Sequence, residues 1–215
     1  MLGEGGADLL HVDVMDGHFV PNLTMGPALV ASLRRALPEA CLDVHLMVTD
    51  PVQYVTPFAE AGADHLTFHI EPATDPRAGA GMAPVSEGYE AAELARRIRE
   101  AGMGAGLAIN PGTALDDAMG VIEAGVLDMV LVMSVRPGFS GQAFIEETLE
   151  TTRRVREAVG PYASSGVRVE MDGGIKPENA RRCREAGCDV LVAASAVFGV
   201  DRDERAGVIR AIRGD

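Results

Sequence analysis

The chain has 215 residues, 47% of them hydrophobic, with 32 acidic against 19 basic side chains, a formal net charge of −13 and a pI near 4.8. That size and apolar content suit one domain over 1–215, and the acidity argues against nucleic acid or an anionic membrane surface as partner, since both attract clustered Lys and Arg. Three cysteines without C-x-x-C spacing, no apolar run of membrane-spanning length, and an opening MLGEGGADLL with no leader pattern point to a reducing, cytoplasmic setting.

Short apolar runs alternate with segments of helical period. The expected strands are LLHVDVM (9–15), CLDVHLMV (41–48), HLTFHIE (65–71), GAGLAI (104–109), DMVLVMSV (128–135), VRVEMD (167–172) and DVLVAAS (189–195). Helical patterns cover 26–37, 51–61, 88–101, 114–124, 142–159 and 177–186, with a last one from 202 onward. Strand followed by helix, without hairpin signals, describes a parallel sheet built from βα units. A Gly-, Pro- and Ala-rich stretch at 71–90 breaks the rhythm and reads as a surface insertion.

A phrase recurs at the joints: GEGGADLLHV, AEAGADHLTF, IEAGVLDMVL and REAGCDVLVA. It describes a helix that ends, a glycine in the left-handed position beyond it, and a turn into the next strand. Gly62, Gly125 and Gly187 each follow a helical pattern, whereas Gly6 follows none within this sequence. Seven βα units are visible and eight close a barrel. The expectation is therefore a TIM (β/α)8-type barrel lacking its first βα unit in this chain.

Ionisable residues cluster near strand C-termini, where barrel active sites form. Alternation along a strand puts His11 with Asp13 on one face, Asp43 with His45 and Met47, and Glu170 with Asp172. Inside a barrel, unpaired carboxylates and imidazoles are costly, but around one divalent cation they offset each other. Two imidazoles and two carboxylates suit zinc, iron, manganese or cobalt.

HVDVMDGHFVPNLTMGP, LDVHLMV, GLAINPGT, VMSVRPGFSGQ and VEMDGGI, in that order, resemble the ribulose-phosphate 3-epimerase family over about residues 5 to 200. The resemblance implies one divalent metal held by His11, Asp13, His45 and Asp172, with Asp13 and Asp172 as the acid/base pair. It also implies a substrate contact for His45, pocket walls from Met15, Met47 and Met133, and orienting roles for His69 and Glu71. Phosphate would be held by the glycine-rich turns, through Gly138, Phe139, Ser140, Gly141, Gly173, Gly174, Ala194 and Ser195. Two departures stand out: Ser140 where the family usually has Gly, and Ala194-Ser195 where it has Gly-Ser.

The implied partner is a sugar phosphate, D-ribulose 5-phosphate passing to D-xylulose 5-phosphate, in a homo-oligomer. Inverting a carbon next to a carbonyl needs a proton removed from one face and returned to the other, hence two carboxylates. A six-carbon analogue, allulose 6-phosphate, would use the same residues. A non-catalytic truncated copy is the other alternative, and the retention of every acid/base position speaks against it.

Overall fold

The computed structural model describes residues 5–75, 89–139 and 141–215. Seven strands, β1 (Leu9–Met15), β2 (Cys41–Met47), β3 (His65–His69), β4 (Gly104–Ile109), β5 (Met129–Met133), β6 (Arg168–Asp172) and β7 (Val190–Val192), form one parallel sheet whose order is the chain order. Helices Pro27–Ala36, Val55–Ala61, Ala91–Glu100, Asp116–Glu123, Thr148–Val159 and Pro177–Glu185 connect them, and Arg205–Arg213 follows β7. No helix among the described residues is long and apolar enough to cross a membrane.

The sheet is rolled. Neighbouring strands lie about 4.8 Å apart, so in a flat sheet β1 and β6 would be separated by roughly 24 Å. Yet ligand atoms of His11 and Asp13 on β1 lie within 4.8 Å of one on Asp172 at the end of β6. Curvature brings the two together, and strand alternation then sorts the side chains. Val12, Val44, Leu46, Leu66, Phe68, Leu107, Val130, Val132 and Val169 join Phe58, Ile98 and Val155 of the helices in one apolar core. The intervening positions carry His11, Asp13, Asp43, His45, Thr67, His69, Glu170 and Asp172 on the other face.

The repeated joint phrase has a physical explanation. Gly6, Gly62, Gly125 and Gly187 all have positive φ, between 65° and 111°, as expected for residues that stop a helix. The aspartate that follows clamps the preceding strand. Asp64 Oδ2 accepts from Leu42 N–H (2.7 Å), Asp128 Oδ2 from Ala105 N–H (2.9 Å) and Asp189 Oδ2 from Val169 N–H (2.8 Å). Each carboxylate also meets an arginine from an earlier helix: Arg34, Arg99 and Arg156 respectively. Asp8 holds the equivalent place before β1, and Arg213 of the last helix pairs with it. Among the described residues β1 pairs only with β2 and β7 only with β6, so the ring of eight is here a ladder of seven. A cavity of about 740 Å³ lies between those edges, lined by Leu9, Leu10, Val190, Leu191, Val197 and Ile209 among others.

Three expectations are corrected. The helix expected over 142–159 begins at Thr148. Residues 142–147 instead form a loop, which the Gln142 amide ties to the Arg136 and Phe139 carbonyls and Ile145 N–H ties to Ser134. The third strand stops at His69 because Glu71 opens a helical turn, Glu71–Thr74. The seventh covers only Val190–Val192, and Ser195–Phe198 is a helical turn. Of the insertion at 71–90, residues 76–88 lie outside the described set.

The inward positions of β4 are small for a reason. A Cβ on Gly106 would fall well inside contact distance of the Thr67 side chain, which is fully buried in register with it. Gly106→Ala is expected to lower folding stability by about 1–3 kcal/mol in urea unfolding, and adding Thr67→Ala is expected to recover much of that loss. An undiminished midpoint for Gly106→Ala would contradict this packing.

Candidate active site

β1 and β2 run in register with His11 opposite Asp43 and Asp13 opposite His45. That pairing builds a four-residue cluster with Asp172, in which one ligand atom from each of His11, Asp13, His45 and Asp172 lies within 4.8 Å of the others. His11 Nε2 stands 3.3 Å from Asp13 Oδ1 and 3.4 Å from His45 Nδ1, which is itself 3.1 Å from Asp13 Oδ1. This spread is close to that of donors placed about 2.0–2.3 Å from one ion. Two nitrogens and two carboxylates converging in this way fit a divalent cation.

The surroundings hold the two rings. His11 Nδ1 donates to Asp43 Oδ2 (2.6 Å) and lies 3.5 Å from Glu170 Oε1, both carboxylates being fully buried. His45 Nε2 is 2.8 Å from His69 Nε2, and His69 Nδ1 donates to Glu71 Oε2 (3.0 Å). His69 thus touches His45 without entering the cluster, and Glu71 touches His69. Asp43, His11 and Glu170 form a second, deeper group of possible ligands.

The two aspartates are pushed in opposite directions. Burial raises Asp172 to about 7, and the Asp13 and Asp43 charges add to it. Burial also works to raise Asp13, but its contacts with the His11 ring first and the His45 ring second outweigh it and hold that carboxyl well below its ordinary value. Burial and the Asp43 charge lift Glu170 to about 8, so it keeps its proton at neutral pH. Burial lowers His45 to about 4, which leaves that ring neutral and able to ligate.

Asp13 and Asp172 open into one pocket. Met15, Met47 and Met133 line it together with Gly138, Phe139, Gly141, Gly173, Gly174, Ala194 and Ser195. His45, itself one of the four cluster residues, is fully buried and does not belong to that lining, so the substrate contact expected of it is not seen. Ser140 lies outside the described residues. Gly173 and Gly174 have φ of 120° and 63°, and a Cβ on either would collide with the backbone of Val135 or Phe144. Only glycine lets the turns after β5 and β6 approach this closely.

Several further residues support the site. Thr24 accepts from Met15 N–H (2.9 Å) and donates to the Asp13 carbonyl (2.8 Å), fixing the end of β1. Asp16 accepts from His18 and Phe19 N–H and, through its other oxygen, from Thr49 beyond β2. Asn22 Nδ2 donates to the Gly138 carbonyl (2.7 Å), joining loops 116 residues apart. Ser134 Oγ donates to the Gly173 carbonyl (2.6 Å) below Asp172. Of these only Asp16, in an Asp-Gly turn, left a local signal.

A sequence profile of the ribulose-phosphate 3 epimerase family matches residues 1–198. Ribulose-phosphate 3-epimerase of Mycobacterium tuberculosis is 45% identical over 208 residues, 97% of this chain and 82% of that protein. The enzyme of the same name from Chlamydia muridarum is 42% identical over 199 residues, 92% and 79% of the two chains. Among solved structures, 3-keto-L-gulonate-6-phosphate decarboxylase from Vibrio cholerae aligns with a TM-score of 0.67 at 18% identity, covering 99% of this chain and 87% of its own, a likeness of fold. On the family profile and these relatives, the chain belongs to the ribulose-phosphate 3-epimerase family, whose members are isomerases.

Proposed function

We propose that this chain interconverts D-ribulose 5-phosphate and D-xylulose 5-phosphate by moving a proton at C3, with Asp13 and Asp172 as the two acid/base groups. The observation that carries the reading is the pocket they share. Asp13 at the end of β1 and Asp172 at the end of β6 line it together, so a proton that leaves C3 for one carboxyl can be returned from the other. Reversal of roles takes the opposite epimer back. His11 and His45 complete the ligand set for one divalent cation, with zinc, iron, manganese and cobalt all compatible with two nitrogens and two carboxylates. Such a cation supplies Lewis-acid stabilisation for the negative charge that develops on the substrate oxygens as the C3 proton leaves.

The chain's own residues do the rest. Met15, Met47 and Met133 wall the pocket with polarisable, water-excluding surface beside the reacting carbon. Gly138, Phe139 and Gly141, the Gly173–Gly174 turn and Ala194–Ser195 offer closely approaching backbone to the phosphate at the far end. The Ala194 methyl narrows that end relative to the glycine usual in the family.

Asp172→Asn is expected to lower kcat for ribulose 5-phosphate by about 10²–10⁴-fold. The folded pKa of Asp172 is raised, so its ionisation weakens the metal-free fold as pH rises from about 4 to about 7. The Asn variant is spared that loss, and its metal-free Tm at pH 8 is expected to match or exceed that of the unmodified protein. A variant with near-full turnover would remove Asp172 from its role.

Cation binding requires the Asp172 carboxylate in place of its acid. Zinc affinity, measured against a competing chelator, should therefore fall about tenfold for each pH unit below 7, per proton displaced. A flat affinity between about pH 5.5 and 7 would mean that Asp172 does not ligate.

A further inference from the structure

Resting on the metal-site reading above, we propose that Glu71 and His69 form a proton-ordered relay that locks His45 in the tautomer whose Nδ1 lone pair faces the cluster. The chain of contacts starts at the loop after β4. Asn110 N–H (2.8 Å) and the Thr113 hydroxyl (2.7 Å) donate to Glu71 Oε1. Glu71 Oε2 accepts from His69 Nδ1–H at 3.0 Å. A neutral His69 with its proton on Nδ1 has only a lone pair at Nε2, 2.8 Å from His45 Nε2. The proton in that contact must then belong to His45 Nε2. With Nε2 protonated, His45 Nδ1 is bare, and it is this atom that lies 3.1 Å from Asp13 Oδ1 and 3.4 Å from His11 Nε2.

The alternative tautomer shows why a relay is needed. Left to itself, a buried neutral His45 would put its proton on Nδ1 and donate it to the Asp13 carboxylate, a charge-assisted bond in a site of low dielectric. That arrangement would occupy a ligand nitrogen and a ligand carboxylate together. The relay opposes it with an acceptor at the other end of the ring. Every element of the relay is fixed: His45 and His69 are at most 1% exposed and stack at 5.0 Å, and Phe19 packs on His69 at 4.8 Å. Glu71 is held as a carboxylate, since burial raises it but the His69 contact and the Asn110 and Thr113 donors outweigh that.

Glu71 and His69 are positioning residues, since they act only through His45. The polarity of the relay can be inverted with almost no change of shape. In Glu71→Gln the side-chain oxygen must face Asn110 N–H, which can only donate. The amide N–H then points at His69 Nδ1, moves the His69 proton to Nε2, and leaves His45 protonated on Nδ1. In His69→Gln, by contrast, one amide can donate to Glu71 and accept from His45 Nε2–H, keeping the original order.

The test is the ¹⁵N NMR signature of the His45 ring in metal-free protein, combined with zinc titration against a chelator. The relay predicts a proton on Nε2 in the unmodified protein and in His69→Gln, and on Nδ1 in Glu71→Gln. It also predicts zinc binding at least about tenfold weaker in Glu71→Gln and within about threefold of the original in His69→Gln. A proton on Nδ1 of His45 in the unmodified protein overturns the relay whether or not either variant folds. Unchanged zinc affinity in a folded Glu71→Gln overturns it equally. Protein with His45 protonated on Nε2 that binds no zinc leaves the relay standing and defeats the metal reading instead.

Discussion

A carboxylate taken out of water must find a proton, a donor or a cation, and four of them share the inside of this sheet. Asp13, Asp43, Glu170 and Asp172 lie around His11 on β1, β2 and β6, with no basic side chain but histidine in the cluster. They divide the three remedies among themselves. Glu170 keeps a proton, Asp43 takes the His11 Nδ1–H, and Asp13 and Asp172 are left facing His11 Nε2 and His45 Nδ1 around one small space. The rest of the architecture serves to hold that unstable gathering in place.

The strands supply the position and the aspartate clamps supply the rigidity. Asp64, Asp128 and Asp189 each grip the N-terminal end of the strand before them, at the end of the sheet opposite the site. The clamps thus lie at one end of the sheet, while the other end carries glycine-rich turns and buried charge. The contact of Asn22 with Gly138 and the packing of Gly173 against Val135 then draw the loops of distant strands around one pocket.

Much of this was legible in the sequence because it depends on period and on local turn chemistry. Alternation alone put His11 beside Asp13 and Asp43 beside His45, and the joint phrase located the left-handed glycines. What was not legible depends on contacts across long separations. Nothing near Gln142 signals that its amide will bind two carbonyls and delay the helix to Thr148, because helical spacing continues through 142–147. Asn22, Ser134 and Thr24 look like ordinary loop and strand residues until the sheet rolls. The ladder of clamps was half visible: the repeated aspartate could be read, its strand N–H and arginine partners could not.

The proposed chemistry requires that the cation sit in the set containing Asp13 and Asp172 rather than in the deeper set of His11, Asp43 and Glu170. An anomalous difference map from crystals soaked in manganese decides between them. A single peak is expected within bonding distance of His11 Nε2, His45 Nδ1, Asp13 and Asp172. A peak between Asp43 and Glu170, or none at saturating manganese, would contradict it.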